Sequence, residues 1–152
     1  MRIIVTGGAV IQDQAGRILM QRRSDYGDWG LPGGAMEPEE TIEETMKREV
    51  LEETGRVVQS HELMGVYSGP RMQYTYPDGN EVVFVMFIFK AEVILQGRLS
   101  VNEKELLFQD LHQESLQLEF KSMDEIEYLP ISSVQQPVFE DLMQMEISIL
   151  RS

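Results

Sequence analysis

Residues 33–56 read G-G-A-M-E-P-E-E-T-I-E-E-T-M-K-R-E-V-L-E-E-T-G-R. A glycine turn leads into a helix, which ends in a cluster of carboxylates. The spacing predicts a helix that starts near Pro38 or Glu39 and stops at Gly55, since proline suits a first helical turn and glycine a C-terminal cap. Ile42, Met46 and Val50 form an i+4 apolar row that would pack on a sheet. Glu49, Glu52 and Glu53 stand at i, i+3 and i+4, within roughly a 100° arc of one helical face. Three carboxylates so close repel one another unless positive charge sits among them. A hard divalent cation is the economical candidate, because it prefers oxygen ligands. Arg48 lies four residues from both Glu44 and Glu52 and can pair with either. Backbone carbonyls of the turn at Gly33 and Gly34 can add a metal ligand.

The rest of the chain bounds the answer. At 152 residues it is long enough for one domain with a real core, and 42% hydrophobic content is that of a globular chain. The expectation is a single domain over residues 1–152. There is no cysteine, which excludes disulfides, thiolate metal sites and thiol nucleophiles. No apolar run approaches a membrane span. Met1-Arg2-Ile3-Ile4-Val5 enters a strand-like pattern directly, so the expected location is the cytoplasm. A net charge of −13 argues against a nucleic acid polymer as partner, though not against a small phosphate substrate met through a bound cation.

Residues 2–12 read as a strand, in which Gly7-Gly8 marks a bulge or a close backbone approach. Residues 17–23 read as its hairpin partner, with Arg22 and Arg23 on opposite faces. In the loop that follows, Trp29 and Tyr26 either stack on a base or, for Trp29, brace the glycine turn. Residues 57–67 read as a strand. Residues 71–79, from Arg71, form a loop or hairpin turning at Pro77-Asp78-Gly79. Residues 82–94 read as a central strand buried on both faces. Residues 96–116 are polar, with a possible short helix at 101–111. Residues 117–123 alternate like a strand, Asp124-Glu125-Ile126 begins a short turn or helix, and residues 133–150 read as a C-terminal helix. Ser133 would be its N-cap, and Val138, Leu142, Met145 and Ile149 its buried face. This order gives an α/β domain with a mixed sheet between helices.

Gly34, Glu40, Arg48, Glu49, Val50, Glu52, Glu53 and Gly55 together resemble the Nudix box of the Nudix hydrolases. That pattern is Gly, five residues, Glu, seven residues, then Arg-Glu-apolar-any-Glu-Glu-any-Gly-apolar. Eight positions match over 22 residues, and Arg56 stands where the family has an apolar residue. The Leu31-Pro32-Gly33-Gly34 lead-in is also usual in the family. The resemblance implies an α/β/α sandwich with a mixed β-sheet. It implies hydrolysis of a diphosphate linkage in a nucleoside diphosphate derivative, with Mg²⁺ as cofactor and Mn²⁺ as a possible substitute. Glu52 and Glu53 are then metal ligands and catalytic residues, Glu49 and the Gly34 turn further ligands, and Arg48 the residue that orients them. Glu40 is an outer ligand, a partner of Arg48 or a helix-dipole partner. Arg22 or Arg23 meets substrate phosphate or ends a solvated strand. With Tyr26, the Arg71 loop and the Glu114 loop they form the substrate-selecting half.

The general base is one of the box glutamates or Glu114, with Glu103 and Glu105 competing; Gln117 stands where some relatives carry another acid. His61 and His112 have the type for acid–base work, but no neighbours that support it. Pro70, Tyr74 and Tyr76 give conflicting hints, so ADP-ribose, a nucleoside triphosphate and a dinucleotide polyphosphate all remain open. A nucleotide-sensing domain without turnover is the alternative, and it usually lacks the carboxylates found here. A diphosphate-linked isomerase shares the fold, but its thiol-dependent forms need a cysteine. Family members are often homodimers.

Overall fold

In the computed structural model, residues 1–24, 26–94, 115–144 and 148–152 are described. The strands are β1 (Arg2–Ile11), β2 (Ile18–Arg23), β3 (Trp29–Gly30), β4 (Gly33–Ala35), β5 (Val58–Tyr67), β6 (Gln73–Thr75), β7 (Glu81–Val93), β8 (Ser115–Lys121) and β9 (Leu150–Arg151). The α-helices are α1 (Ile42–Thr54), α2 (Met123–Ile126) and α3 (Gln136–Gln144). Short 3₁₀ turns occupy Pro70–Met72 and Ser133–Gln135. The larger sheet runs β4-β1-β7-β5-β9, with β6 also on β7, and the smaller one runs β3-β2-β8. β1 is parallel to β7 from Arg2↔Val82 to Ile11↔Ala91, while β4 runs antiparallel to β1 and β5 antiparallel to β7, so the larger sheet is mixed.

Strand alternation divides the interior in two. Val10, Met20 and Ile88 join Val134, Val138 and Phe139 on one side. Ala9, Leu19 and Phe89 meet Met46 and Val50 of α1 on the other. Helices therefore cover opposite faces of the strands, as an α/β/α sandwich requires, and the apolar row of α1 packs as its spacing predicts.

The expected β1–β2 hairpin does not form. β7 holds one edge of β1, and β4 with the Pro32 carbonyl holds the other. Asp13 folds the connection back by accepting the amides of Ala15 and Arg17, and a Gln12↔Ile18 bridge with one Asp13 N–H to Arg17 carbonyl bond closes it without continuing as a ladder. β2 crosses to pair with β8 instead. Gly33 and Gly34 are likewise not a turn but strand β4. Gly7 and Gly8 are the close approach rather than a bulge: a Cβ on Gly33 would lie 2.7 Å from the Gly7 oxygen and the Gly8 Cα.

α1 starts later than expected. Thr41, rather than Pro38 or Glu39, sets its start through a capping box in which the Thr41 hydroxyl accepts the Glu44 amide and Glu44 accepts the Thr41 amide. Gly55 ends it as expected, in a left-handed conformation with φ 71°.

β7 is buried on both faces only in its middle, since Lys90 and Glu92 are exposed. The C-terminal helix is also shorter than expected. Ser133 lies in a 3₁₀ turn rather than capping a helix, and α3 ends at Gln144. Beyond it the chain returns as β9, parallel to β5. Arg151 holds it there, donating to the Tyr67 hydroxyl (2.9 Å), Asp141 Oδ2 (3.1 Å) and the Met64 carbonyl (2.9 Å). Ile149 is consequently half-exposed, and Met145 lies outside the described residues. Among those residues, no helix is long and apolar enough to cross a membrane.

Met46 is fully buried between α1 and the strands, whereas Leu51 on the same helix is 49% exposed. Met46→Ala should cost about 2–5 kcal/mol in urea unfolding, and Leu51→Ala should stay within about 1 kcal/mol. Equal losses would contradict the packing described.

Candidate active site

Arg48 is the positive charge among the box carboxylates. Its Nε and Nη2 donate to the two Glu40 oxygens at 3.0 and 2.7 Å. Nη1 donates to Glu49 Oε1 at 2.8 Å and to Glu52 Oε2 at 3.4 Å, and Nη2 also reaches the Ala35 carbonyl. Of the readings open for Glu40, partner of Arg48 is the one the geometry carries. Glu44 does not pair with Arg48, because it is committed to the helix cap. The fork-to-fork pair holds the Glu40 carboxyl down at about 2 and raises the Arg48 guanidinium well above its ordinary value.

Glu53 faces the other way. It is 2% exposed. Its Oε1 accepts from Gln21 Nε2 at 3.2 Å and its Oε2 accepts the Gly33 amide at 2.8 Å. Burial, with the charge of Glu49 adding to it, pushes its carboxyl up to about 8, and Arg23, Gln21 and the Gly33 amide pull in the opposite direction. Gly34 leaves room for Glu49, since a Cβ there would stand 2.4 Å from the Glu49 carboxyl carbon.

Beside these groups lies a cavity of about 530 Å³, a volume typical of small-molecule sites. Arg48, Glu49, Arg23 and the Gly33–Ala35 strand form one part of its lining, and Tyr74, Tyr76, Phe84, Met86, Val134 and Gln135 another. Tyr74 packs edge-on to Tyr76, with centroids 5.2 Å apart, and tilted against Phe84 at 5.7 Å.

The remaining candidates separate. Arg23 lines the cavity, while Arg22 turns out to donate to the Gly27 carbonyl at 3.1 Å. The β2–β8 register shifts between the two. Tyr26 lies outside the lining; its hydroxyl donates to the Thr75 carbonyl and its ring meets Tyr74 edge-on at 6.0 Å. Arg71 also lies outside it, paired with Glu140 at 3.1 Å. Glu52 is more exposed than Glu40 and Glu49 and does not line the cavity. Trp29 is buried under the Lys121 ammonium, as a brace rather than a stacking platform. Glu114, Glu103, Glu105 and His112 lie outside the described residues. His61 packs edge-on against Phe89 away from this cavity. Two site residues carried no functional assignment from sequence. Gln21 had a signal, an amide directly after the apolar run Ile18-Leu19-Met20. Gln135 had none.

Among the described residues, no three acidic or histidine side chains already converge as a metal cage. Glu49 leans to Arg48, and Glu53 to Gln21 and Gly33. The donor set nevertheless fits a hard divalent cation: it is all oxygen, the like charges of Glu49 and Glu53 repel each other, and the Gly34 backbone lies against the Glu49 carboxyl.

A family model described as the NUDIX domain matches residues 2–142. A MutT-like protein of Streptomyces ambofaciens is 48% identical over 64 residues, 42% of this chain and 41% of that protein. An ADP-ribose pyrophosphatase of Methanocaldococcus jannaschii is 32% identical over 112 residues, 72% of this chain and 62% of that protein. These matches thus span about two fifths to three fifths of the relatives' lengths. In structure, the MutT protein of Methanosarcina mazei Go1 superposes with a TM-score of 0.65 at 24% identity, covering 95% of each chain, which speaks to the fold.

Because the Glu40 carboxyl sits at about 2 in the folded chain against 4.5 ordinarily, its pairing stabilises the fold fully above pH 4.5. That contribution fades as pH falls through the folded value. Glu40→Gln should therefore lower Tm at pH 7, and the gap to the unmodified protein should close between about pH 4.5 and 2. A gap independent of pH would contradict the ion-pair account.

Proposed function

The chain belongs to the Nudix family, and on that premise we propose that it is a Mg²⁺-dependent hydrolase. Its reaction would be cleavage of a diphosphate linkage in a nucleoside diphosphate derivative, with Mn²⁺ as a substitute ion. The observation that carries this reading is Glu53, a buried carboxyl fixed at both oxygens and bonded to Gly33, which lines the cavity together with Glu49. A carboxyl buried this deeply, with a second carboxylate beside it and a cavity at its bonded neighbour, marks a candidate functional group.

Glu49, Glu52 and Glu53 would hold the cation, with a Gly34 backbone oxygen beside them. When bound, Mg²⁺ neutralises diphosphate charge and makes a water ligand more acidic. The protein's own part is to position. Arg48 keeps Glu49 and Glu52 from swinging into solvent, and Gln21 and the Gly33 amide do the same for Glu53. Arg23 lies in the lining where a phosphate would sit between the carboxylates and the aromatic wall. It opposes the negative charge that grows on the phosphate oxygens. Tyr74 and Tyr76 offer flat apolar faces for a ring. Proton abstraction from the attacking water falls to a box glutamate or to Glu114.

Glu53→Gln keeps an acceptor for the Gly33 amide and removes the charge. Nucleoside triphosphates, ADP-ribose and dinucleotide polyphosphates should be screened with Mg²⁺ and Mn²⁺, and the products identified. The variant should keep its circular dichroism and melting cooperativity while losing roughly hundredfold or more in kcat, the scale of several kcal/mol of charge stabilisation. Full turnover by this variant would remove Glu53 from the chemistry.

A further inference from the structure

The cavity lining also carries a hydrogen-bonding group whose polarity is fixed. Gln135 closes the 3₁₀ turn Ser133–Gln135, and its own amide donates to the Ser132 carbonyl at 2.9 Å. Its side-chain oxygen accepts the Leu31 backbone N–H at 2.6 Å. A backbone N–H can only donate, so the atom facing Leu31 must be the oxygen and the amide cannot be flipped. The carboxamide lies against Gly30, where a Cβ would stand 2.9 Å from Oε1 and 3.3 Å from Nε2. Gly30 is therefore a seat cut for this side chain. With Oε1 committed to the Leu31 amide, the NH₂ group and its two donors are what Gln135, a lining residue, has left to offer a ligand.

A glutamine with both ends available pairs with adenine by donating to N7 and accepting from the exocyclic amine. Gln135 has its accepting end drawn away, and its donors match the O6 and N7 acceptors of a 6-oxopurine, the edge a lysine or arginine reads. The neighbouring lining is mainly aromatic or apolar, Tyr74, Tyr76, Phe84, Met86 and Val134, with Ser132 beside Gln135. Tyr74 is braced by Tyr26, whose hydroxyl is tied to Thr75. A flat ring held there is read by few polar groups, so the sign of this one matters.

We propose that the Tyr74–Gln135 end of the cavity is a base-reading subsite that selects nucleobases presenting a carbonyl in place of an exocyclic amine, guanine over adenine and uracil over cytosine, through the Nε2 donors of Gln135. The proposal rests on the hydrolase reading for the nature of the substrate, and names its base.

The test compares kcat/KM for GTP, ATP, UTP and CTP with Mg²⁺. The unmodified protein should favour GTP over ATP and UTP over CTP by about tenfold or more, mainly through KM. Gln135→Glu keeps the acceptor for Leu31 and replaces the donors, so both ratios should collapse or invert. Gly30→Ala, which pushes the amide off its seat, should collapse them by a second route. A merely structural role would lower all four substrates alike. That outcome, or an unmodified protein without base preference, overturns the proposal. Calorimetric binding of GMP and AMP to the protein separates the two readings. Preference for GMP without any hydrolysis sinks the hydrolase reading and leaves this one, and hydrolysis with equal GMP and AMP binding does the reverse.

Discussion

Glu53 is the point at which the architecture is tied together. It sits on α1, accepts the amide of Gly33 from the larger sheet, and accepts the side chain of Gln21 from the smaller one. A buried carboxyl left without such donors costs several kcal/mol, so each donor must be present and in place. The requirement reaches outward. Gln21 must sit on a strand that leaves β1, because a β1–β2 hairpin would hold it in the other sheet. Gly33 must lie against Gly7 and Gly8, because a side chain at that crossing would push β4 away.

Arg48 solves a second problem at the same helix end. An acidic face on a chain of charge −13 would spread its carboxylates into solvent by mutual repulsion. A single guanidinium gathers Glu40, Glu49 and Glu52 around its rigid fork. The pair with Glu40 is the strongest of these and leaves Glu49 and Glu52 on the weaker remaining donor. Glu40, bonded through both oxygens, anchors this array, while Glu49 and Glu52 share one guanidinium nitrogen.

The box was legible because helical spacing and side-chain chemistry are local: Glu49, Glu52, Glu53, Arg48 and the apolar row of α1 follow from residue order alone. What failed was non-local. The apolar pattern of residues 17–23 fits a strand in either sheet, and only the occupied edges of β1 decide between them. Ile149 and Leu150 continue a helical pattern, yet the charges on Asp141 and Arg151 and the Tyr67 hydroxyl draw that segment into a strand. Thr41 outcompeted Pro38 as the start of α1, since a reciprocal cap satisfies two amides and a proline satisfies none. Gln135 was invisible because its partner, Leu31, lies 104 positions away.

β5 meets β7 along its length, but its other side meets β9 only at Val66 and Tyr67. Among the described residues, no strand lies beside the outer edge from Val58 to Leu63. The pairing with β7 slips by one residue between Val58 and Ser60 and again between Leu63 and Gly65, leaving Gln59 and Met64 as extra residues on β5. Each bulge bends the strand and breaks the even spacing of its amides and carbonyls. A strand arriving from another molecule would find its hydrogen-bond ladder interrupted twice, with the Glu62 charge between the breaks. The irregularity of β5 is thus a guard against edge-to-edge aggregation.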